Sequence, residues 1–413
     1  MERILDIAVI GCGIGGLAAA SLLRDQGHTV TVYDQFIEPK PEGAGLIVQP
    51  VGQKVLGELG VLGAALSHGV KISGLMGRNI SNGLSALSAR YDIRDETQFG
   101  LGIHRGTLFS LMIKAAQARQ IKFEADHMIL GMNDPENPYL RIEGNRQAGP
   151  FDLVVDASGA NSQISPLMTA KLSYGALWGV VDLPENEREL GNCLRQRYMD
   201  ARKMAGVLPL GTLPGDKTAK AAVFWSLKQS EYDDWLEADI ADWKAEAAEM
   251  WPDFGYLLEQ ITSHEDMTFA RYSHGSLNKV YDQRVVHIGD AAHRTSPQLG
   301  QGANMALLDA AMLAEAMAEY PTKKALKVYQ RRRFLHLKTY QFLSLFMTPL
   351  YQSDRRSAAW IRDRILTPFS KSVLGKRLVS KIISGDLIDP FGGRRKNLPA
   401  AEQVRDILRG PGE

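Results

Sequence analysis

Cysteine is nearly absent from this chain, with two residues, Cys12 and Cys193, in 413. Two thiols cannot build a disulfide framework, so a reducing, cytoplasmic setting is expected. None of the nine histidines stands at a spacing suited to metal ligation, and no metal is expected. A net charge of +1 gives no whole-chain reason to bind nucleic acid. Internal repeats and low-complexity tracts are missing too. One uncharged run, Ile7 to Leu23, resembles a short membrane segment or a signal peptide. Glu2 and Asp6 stand where a signal peptide carries cations, and four glycines interrupt the run. A nucleotide-binding turn explains it better.

What is present is ordinary for a globular protein. Apolar residues make up 45% and charged residues 23%. The length allows a large core and two lobes. Charge is unevenly placed. From Lys323 to Lys381 there are 15 Lys/Arg against two acids, Asp354 and Asp363. Such a stretch can pack on the acidic remainder of its own chain, stay solvated, or make peripheral contact with an acidic membrane. Self-packing or solvation is the expectation.

The chain opens as a βαβ unit. Ile7–Ile10 reads as a buried strand, Gly16–Gln26 as a helix with Leu17, Ala20 and Leu23 along one side, and Thr29–Tyr33 as the next strand. Gly11-Cys12-Gly13-Ile14-Gly15-Gly16 joins strand to helix. Gly11 permits the tight turn, Gly13 the approach of a pyrophosphate, and Gly16 close helix–strand packing. Asp34, 18 residues after Gly16, is placed to accept from a ribose hydroxyl. A second turn lies far downstream. Val285–Ile288 is an apolar strand, followed by Gly289-Asp290-Ala291-Ala292-His293, then Pro297 and Gly300-Gln301-Gly302-Ala303-Asn304 at the start of a long helix. Asp290 is a candidate acceptor for ribityl or phosphate-proximal hydroxyls. The helix start at Gly302, Ala303 and Asn304 could face an anionic flavin edge. Two glycine turns aimed at one ligand suggest FAD, held from both ends.

These motifs, together with Arg105 in Ile103-His104-Arg105-Gly106-Thr107-Leu108, resemble the class A FAD-dependent aromatic hydroxylases, the family of p-hydroxybenzoate hydroxylase. The resemblance runs from about Ile7 to Ala316. It implies that Arg105 and Asp290 contact FAD, that Gly45 lies near the flavin and that Pro297 lies beside its ring. It implies an FAD-dependent monooxygenase that hydroxylates an aromatic or conjugated small molecule with O2, through a flavin C4a-hydroperoxide, with NADPH or NADH as electron donor. Such chemistry asks the protein to exclude water and orient a ring rather than to supply a nucleophile. One stretch departs from the family. In Val155-Asp156-Ala157-Ser158-Gly159-Ala160-Asn161-Ser162-Gln163-Ile164-Ser165, Ser158 stands where the family has aspartate. Asp156 either substitutes for it or caps the turn.

The expected fold is α/β. A Rossmann-like FAD-binding domain of the glutathione reductase type takes residues 1–71, 100–171 and 270–322. A β-sheet substrate domain takes 72–99 and 172–269, and a basic helical C-terminal region 323–413. Tyr174, Ala176, Trp178 and Val180 share one strand face, and Phe224 and Trp225 lie on another strand. Arg195, Arg197 and Tyr198 are candidates for a substrate acid group or phenol. A flavin halogenase or reductase, a quinone-pathway hydroxylase at the membrane, and a non-catalytic binding protein on this fold are the alternatives. The Trp-x-Trp-x-Ile-Pro signature of halogenases is missing.

Overall fold

A computed structural model describes residues 3–37, 44–184 and 192–392. Pro39, Pro41 and Gly43, whose residue types mark a loop in the sequence, and the tail beyond 392 lie outside those residues. β1 (Asp6–Ile10), α1 (Ile14–Asp25) and β2 (Thr29–Tyr33) form the opening βαβ unit. β3 (Gly45–Val48), α2 (Pro50–Glu58), α3 (Leu62–His68), β4 (Val70–Ile72), β5 (Gly74–Asn79) and β6 (Ser85–Arg90) follow. The first half closes with β7 (Gly100–His104), α4 (Arg105–Ala118), β8 (Lys122–Glu124), β9 (Ile129–Asn133), β10 (Tyr139–Ile142), β11 (Arg146–Ala148) and β12 (Leu153–Asp156).

The second half begins with the long strands β13 (Ala170–Asp182), β14 (Cys193–Met199), β15 (Lys203–Thr212) and β16 (Ala219–Lys228). Helices α5 (Tyr232–Glu237), α6 (Ile240–Met250) and α7 (Gly255–Leu258) lead to β17 (Thr268–Ser276), β18 (Tyr281–Asp282), β19 (Val285–His287) and β20 (His293–Arg294). The C-terminal part is helical: α8 (Gly302–Glu319), α9 (Thr322–Tyr351), α10 (Arg356–Ile361), α11 (Thr367–Lys371) and α12 (Val373–Ser384).

A six-stranded sheet runs β18-β19-β12-β1-β2-β8. β1 is parallel to both β12 and β2. Its residues Ile7, Ala8 and Val9 are fully buried because α1 and α8 cover one face and the β11-β10-β9 sheet covers the other, which is why the run is apolar without alternation. β19 joins β12 in parallel, so the second glycine turn ends a strand beside the first one. An eight-stranded sheet runs β20-β17-β13-β16-β15-β14-β5-β6; β3-β7-β4 make a three-stranded sheet that packs on β15, and β11-β10-β9 make another. The loosely alternating stretch 72–98, whose turn residues suggest a hairpin, forms the β5–β6 pair, and β14 adds to β5 in parallel.

Differences from the sequence expectations are local. Residues 233–250 read in sequence as one helix but form two, because Ala238 is extended and the Asp239 carboxylate caps α6 by accepting from the Ala241 N–H. The expected domain boundary at 270 falls inside β17, which stays paired with β13 in the larger sheet. The eight-stranded sheet has two apolar faces. One packs Leu194, Tyr198, Leu208, Leu210 and Phe224 together with Ala44 and Ile47. The other packs Val207, Val223 and Trp225 against Trp235, Trp243 and Trp251 of the α5–α7 region.

Candidate flavin site

The first glycine turn sits at the C-terminal end of β1. Gly11 has φ +100°, and a side chain there would press on the Ala157 carbonyl after β12. Gly16 lies against the Gly11 carbonyl with no room for a Cβ, so α1 crosses the strand end at backbone distance. Gly15 faces Ala306 of α8, whose methyl would lie 3.1 Å from an added Cβ. Gly13 is different, since a Cβ there would meet nothing within 4 Å. That open backbone at a helix start is what a pyrophosphate needs. Asp34 is half-buried at the end of β2. Its Oδ2 accepts from the Cys12 N–H at 2.6 Å and its Oδ1 from the Phe36 N–H at 3.0 Å. It thereby ties the turn to the second strand while remaining reachable. Burial first, and Asp34 second, push the Cys12 thiol up to about 12. Cys12 is therefore a small packing residue with no nucleophilic role.

The second turn begins at Gly289, with φ +58°. Asp290 follows and is reached by solvent, although protein surrounds it on most sides, as at the floor of a cleft. Solvent access is the property that matters for a ligand. The surrounding protein raises the Asp290 carboxyl above its ordinary range, against the pull of His293, Arg294 and Arg105. Arg105 is exposed at the start of α4, where its N–H donates to the Ala44 carbonyl at 3.3 Å. Arg105, Asp290 and the β3 start at Gly45 thus share one region. Gly45 itself packs on the Leu210 side chain, so β3 reaches the large sheet there.

Pro297 is exposed in a single 3-10 turn, and Gly300 turns left-handed at φ +60° before α8 starts. Gly302 is exposed with no atom near a would-be Cβ. The N–H groups of Gly302, Ala303 and Asn304 lie in the first helical turn and have no partner within the helix. The Asn304 side chain is fully buried and bonded within the protein. Its Oδ1 accepts from the Gln49 N–H at 2.8 Å, and its Nδ2 donates to the Ile47 and Gly300 carbonyls at 3.2 and 3.0 Å. Only its backbone remains for a cofactor.

Behind this turn lies a charged network that the sequence reading missed. Asp309 is fully buried on α8. Its Oδ2 accepts from the Gly289 N–H at 2.9 Å and from His293 Nε2 at 2.6 Å. Its Oδ1 accepts from Arg333 Nε of α9 at 2.7 Å. Burial opposes the charge, but His293 and Arg333 outweigh it and hold the Asp309 carboxyl well below the usual carboxylate range. Arg333 also donates to His336 Nδ1 at 3.1 Å, so the His336 Nε2–H donates to the Gly385 carbonyl at 2.8 Å. Burial first, then Arg333, lower His336 to about 3. His293 is held as local structure. A lone acid among Leu307, Leu308, Ala310 and Ala311 was the available sequence signal.

Asp156 is fully buried. It accepts from the Ser158 and Ser162 hydroxyls at 2.5 and 2.7 Å and from His287 Nδ1 at 2.7 Å. Burial raises its carboxyl, but His287, Ser158 and Ser162 lower it further than burial lifts it. Asp156 caps its own turn and presents no oxygen to a ligand.

The substrate candidates divide by strand parity. On β14, Leu194, Gln196 and Tyr198 point to the face shared with Ala44 and Ile47. Arg195 and Arg197 point the other way, where the Arg197 guanidinium lies 4.7 Å over the Trp251 ring. Arg195 and Tyr198 therefore cannot line one pocket. Tyr198 is 1% exposed, donates to Gln196 Oε1 at 2.9 Å and packs on Tyr351 and Arg362. Trp178 and Phe224 do meet on the flavin-side face, with ring centroids 4.6 Å apart. Trp178 Nε1 donates to the Tyr272 hydroxyl at 3.1 Å, and Tyr272 carried no sequence signal. Trp225 lies on the far face.

A cleft of about 630 Å³ lined by Arg3, His28, Asp152, Arg284 and Tyr320 lies at the opposite edge of the six-stranded sheet. It borders the N-terminal strand ends, whereas nucleotides bind beyond the C-terminal ends in such sheets. The open backbones at Gly13 and Gly302, the accessible Asp290 and the Arg105 guanidinium instead fit FAD. Among the described residues, no cluster of three or more His, Cys, Asp or Glu could hold a metal.

A family described as FAD binding domain matches residues 5–339. The chain is 25% identical to the putative FAD-dependent monooxygenase YetM of Bacillus subtilis over 334 residues, which cover 79% of this chain and 88% of that one. It is also 25% identical to 6-hydroxynicotinate 3-monooxygenase of Pseudomonas fluorescens, over 77% of this chain and 84% of that one. Among solved structures, 2-methyl-3-hydroxypyridine-5-carboxylic acid oxygenase shares the fold with a TM-score of 0.73 at 19% identity, covering 88% of this chain and 97% of that one. With four-fifths of its length inside the match and both glycine turns in place, the chain belongs to the FAD-binding domain family of flavoprotein monooxygenases.

Proposed function

We propose that this FAD-dependent monooxygenase hydroxylates a small aromatic ring held against Trp178, Phe224 and Tyr272, with O2 as co-substrate and NADPH or NADH as electron donor. The observation that carries the reading is continuity. The apolar cluster that holds Phe224, with Trp178 packed on it, also holds Ala44 and Ile47, which flank Gly45 beside Arg105. A ring on that face would lie next to a flavin bound between the two glycine turns.

Bound FAD would supply the redox chemistry that makes oxygen electrophilic. The chain's own residues would do the rest. Gly13 and the α1 start would receive the pyrophosphate, and Asp34 the ribose. Arg105 and Asp290 would fix the middle of the cofactor. The α8 start at Gly302 and Ala303 would offset negative charge on the reduced ring, and Pro297 would border it. Trp178 and Phe224 would exclude water and orient the substrate ring. The Tyr272 hydroxyl, which already accepts from Trp178, keeps its own O–H to donate to a phenolate or ring nitrogen. Arg195 is not assigned a substrate role, and Tyr198 is assigned to positioning.

The test is flavin absorbance of the purified chain, followed by NADPH and NADH oxidation over a panel of hydroxylated pyridines, aminobenzoates and phenols. One class should speed oxidation and emerge with one added oxygen. Tyr272→Phe should then raise KM or lower kcat by about tenfold for that class. Bound flavin with no stimulated turnover and no hydroxylated product under any donor would sink the proposal. The buried Asp156 favours a second donor reading, a reduced flavin supplied from outside. Product formed only with chemically reduced flavin would select it.

A further inference from the structure

α9 leaves one face bare. Its opposite side is fixed, with Ala325, Leu326, Tyr329, Arg333 and His336 buried. On the bare face Phe334, Leu335, Phe342, Leu345 and Phe346 are each at least half exposed, and Phe342 reaches 65%. Lys324, Lys327, Arg331 and Lys338 stand on the same side. At 100° per residue these nine positions fall within one stripe about 120° wide. The Phe342 and Phe346 rings stack 6.4 Å apart, and Lys338 Nζ lies 6.0 Å over the Phe334 ring. Trp360, Val373 and Leu374 on the following helices are also exposed.

The charge on this region is not balanced locally. Between 323 and 381 the only acids are Asp354 and Asp363. Asp363 is buried, accepting from Arg362, Asn79 and Asn82. Asp354 accepts from Tyr174 and pairs with Lys228. Self-packing accounts for Arg332, which pairs with Glu315 and Glu319, for Arg333 and for Arg362. The stripe cations are not in these ion pairs, and of them Lys324 lies 4.2 Å over the Tyr320 ring.

We propose that this face docks on an anionic lipid surface, with the aromatic and aliphatic tips in the headgroup boundary and the lysines and arginine over the phosphates. A helix face mixing protruding apolar residues with cations has the form of an interfacial helix. A second copy fits poorly, because a two-fold contact would set this cationic stripe against itself. No helix among the described residues is long and apolar enough to cross a membrane. The proposal stands independently of which ring is hydroxylated.

The experiment is flotation of the flavin-loaded full chain with vesicles of phosphatidylcholine alone or with one-third phosphatidylglycerol. Binding should occur to the anionic vesicles only and weaken with salt. Phe342→Ser with Phe346→Ser, and separately Lys327→Gln with Arg331→Gln, should each lower partitioning by about tenfold or more with flavin absorbance retained. Equal binding to both vesicles, or no loss in either double variant, overturns the proposal. So does a dimer in sedimentation that the phenylalanine variant dissolves without any vesicle binding. Binding to soluble polyglutamate that matches the vesicles and ignores the phenylalanine variant would assign the face to an acidic protein instead.

Discussion

Gly13 and Gly16 lie three residues apart and serve different masters. Gly16 has the Gly11 carbonyl where a Cβ would go, so its demand is structural. Gly16→Ala should push α1 off the strand end and cost about 1–3 kcal/mol of stability, read in a urea melt. Gly13 has open space, so its demand comes from the ligand. Gly13→Ala should cost about 1 kcal/mol or less in the same melt while lowering FAD affinity by about tenfold. Equal losses of stability in the two variants would show that Gly13 too is a packing residue. The spacing of these glycines and the role expected of each come from the sequence; what a side chain at each would meet does not, because that depends on where Ala157, Ala306 and the Gly11 carbonyl lie.

At the scale of elements, the decisive feature is the lock between α8 and α9. Asp309 joins the Gly289 turn, His293 and Arg333 in one buried group. Asp309→Asn should leave Arg333 uncompensated and cost about 3–5 kcal/mol, with weaker flavin retention, measured by denaturant titration and gel filtration of the holoprotein. A loss below about 1 kcal/mol would mean that Arg333 is not held by that charge. His336 adds a pH dependence. Its folded value is lowered from 6.5 to about 3, so the unfolded chain takes up a proton that the fold refuses. The stability it contributes is complete above about pH 6.5 and is lost as pH falls toward 3. Between pH 6 and 5 wild type should lose up to about 1.4 kcal/mol per unit more than His336→Gln, which can keep both hydrogen bonds. Parallel curves for the two proteins would remove His336 as the source.

For the whole molecule, two distant turns meet because β12 carries β1 on one side and β19 on the other. A ligand spanning both turns should stabilise the entire fold. FAD at a hundredfold excess over its Kd should add about 2.7 kcal/mol and raise the melting temperature, whereas FMN, lacking the adenosine that Asp34 and the α1 start address, should do much less. An FMN shift equal to that of FAD would place the binding in the second turn alone.

Some of this protein was set by the order of residues alone. The βαβ opening, Asp34 and the Gly289–Asn304 turn are short-range patterns, in which strand, turn and helix signals lie within a few tens of residues. A flavin-binding α/β fold follows from them. The tertiary structure alone decided the rest, since each of those facts rests on partners far apart in the chain. Sheet packing set Tyr198 on the face shared with Ala44 and Ile47 and Arg197 over the Trp251 ring. Burial turned Asp156 into a turn cap and Asp309 into the anchor of Arg333, 24 residues away. Packing against α8 fixed one side of α9 and left its apolar, basic side facing outward. Local patterns can be read from spacing, but burial and pairing exist only once the chain has folded back on itself.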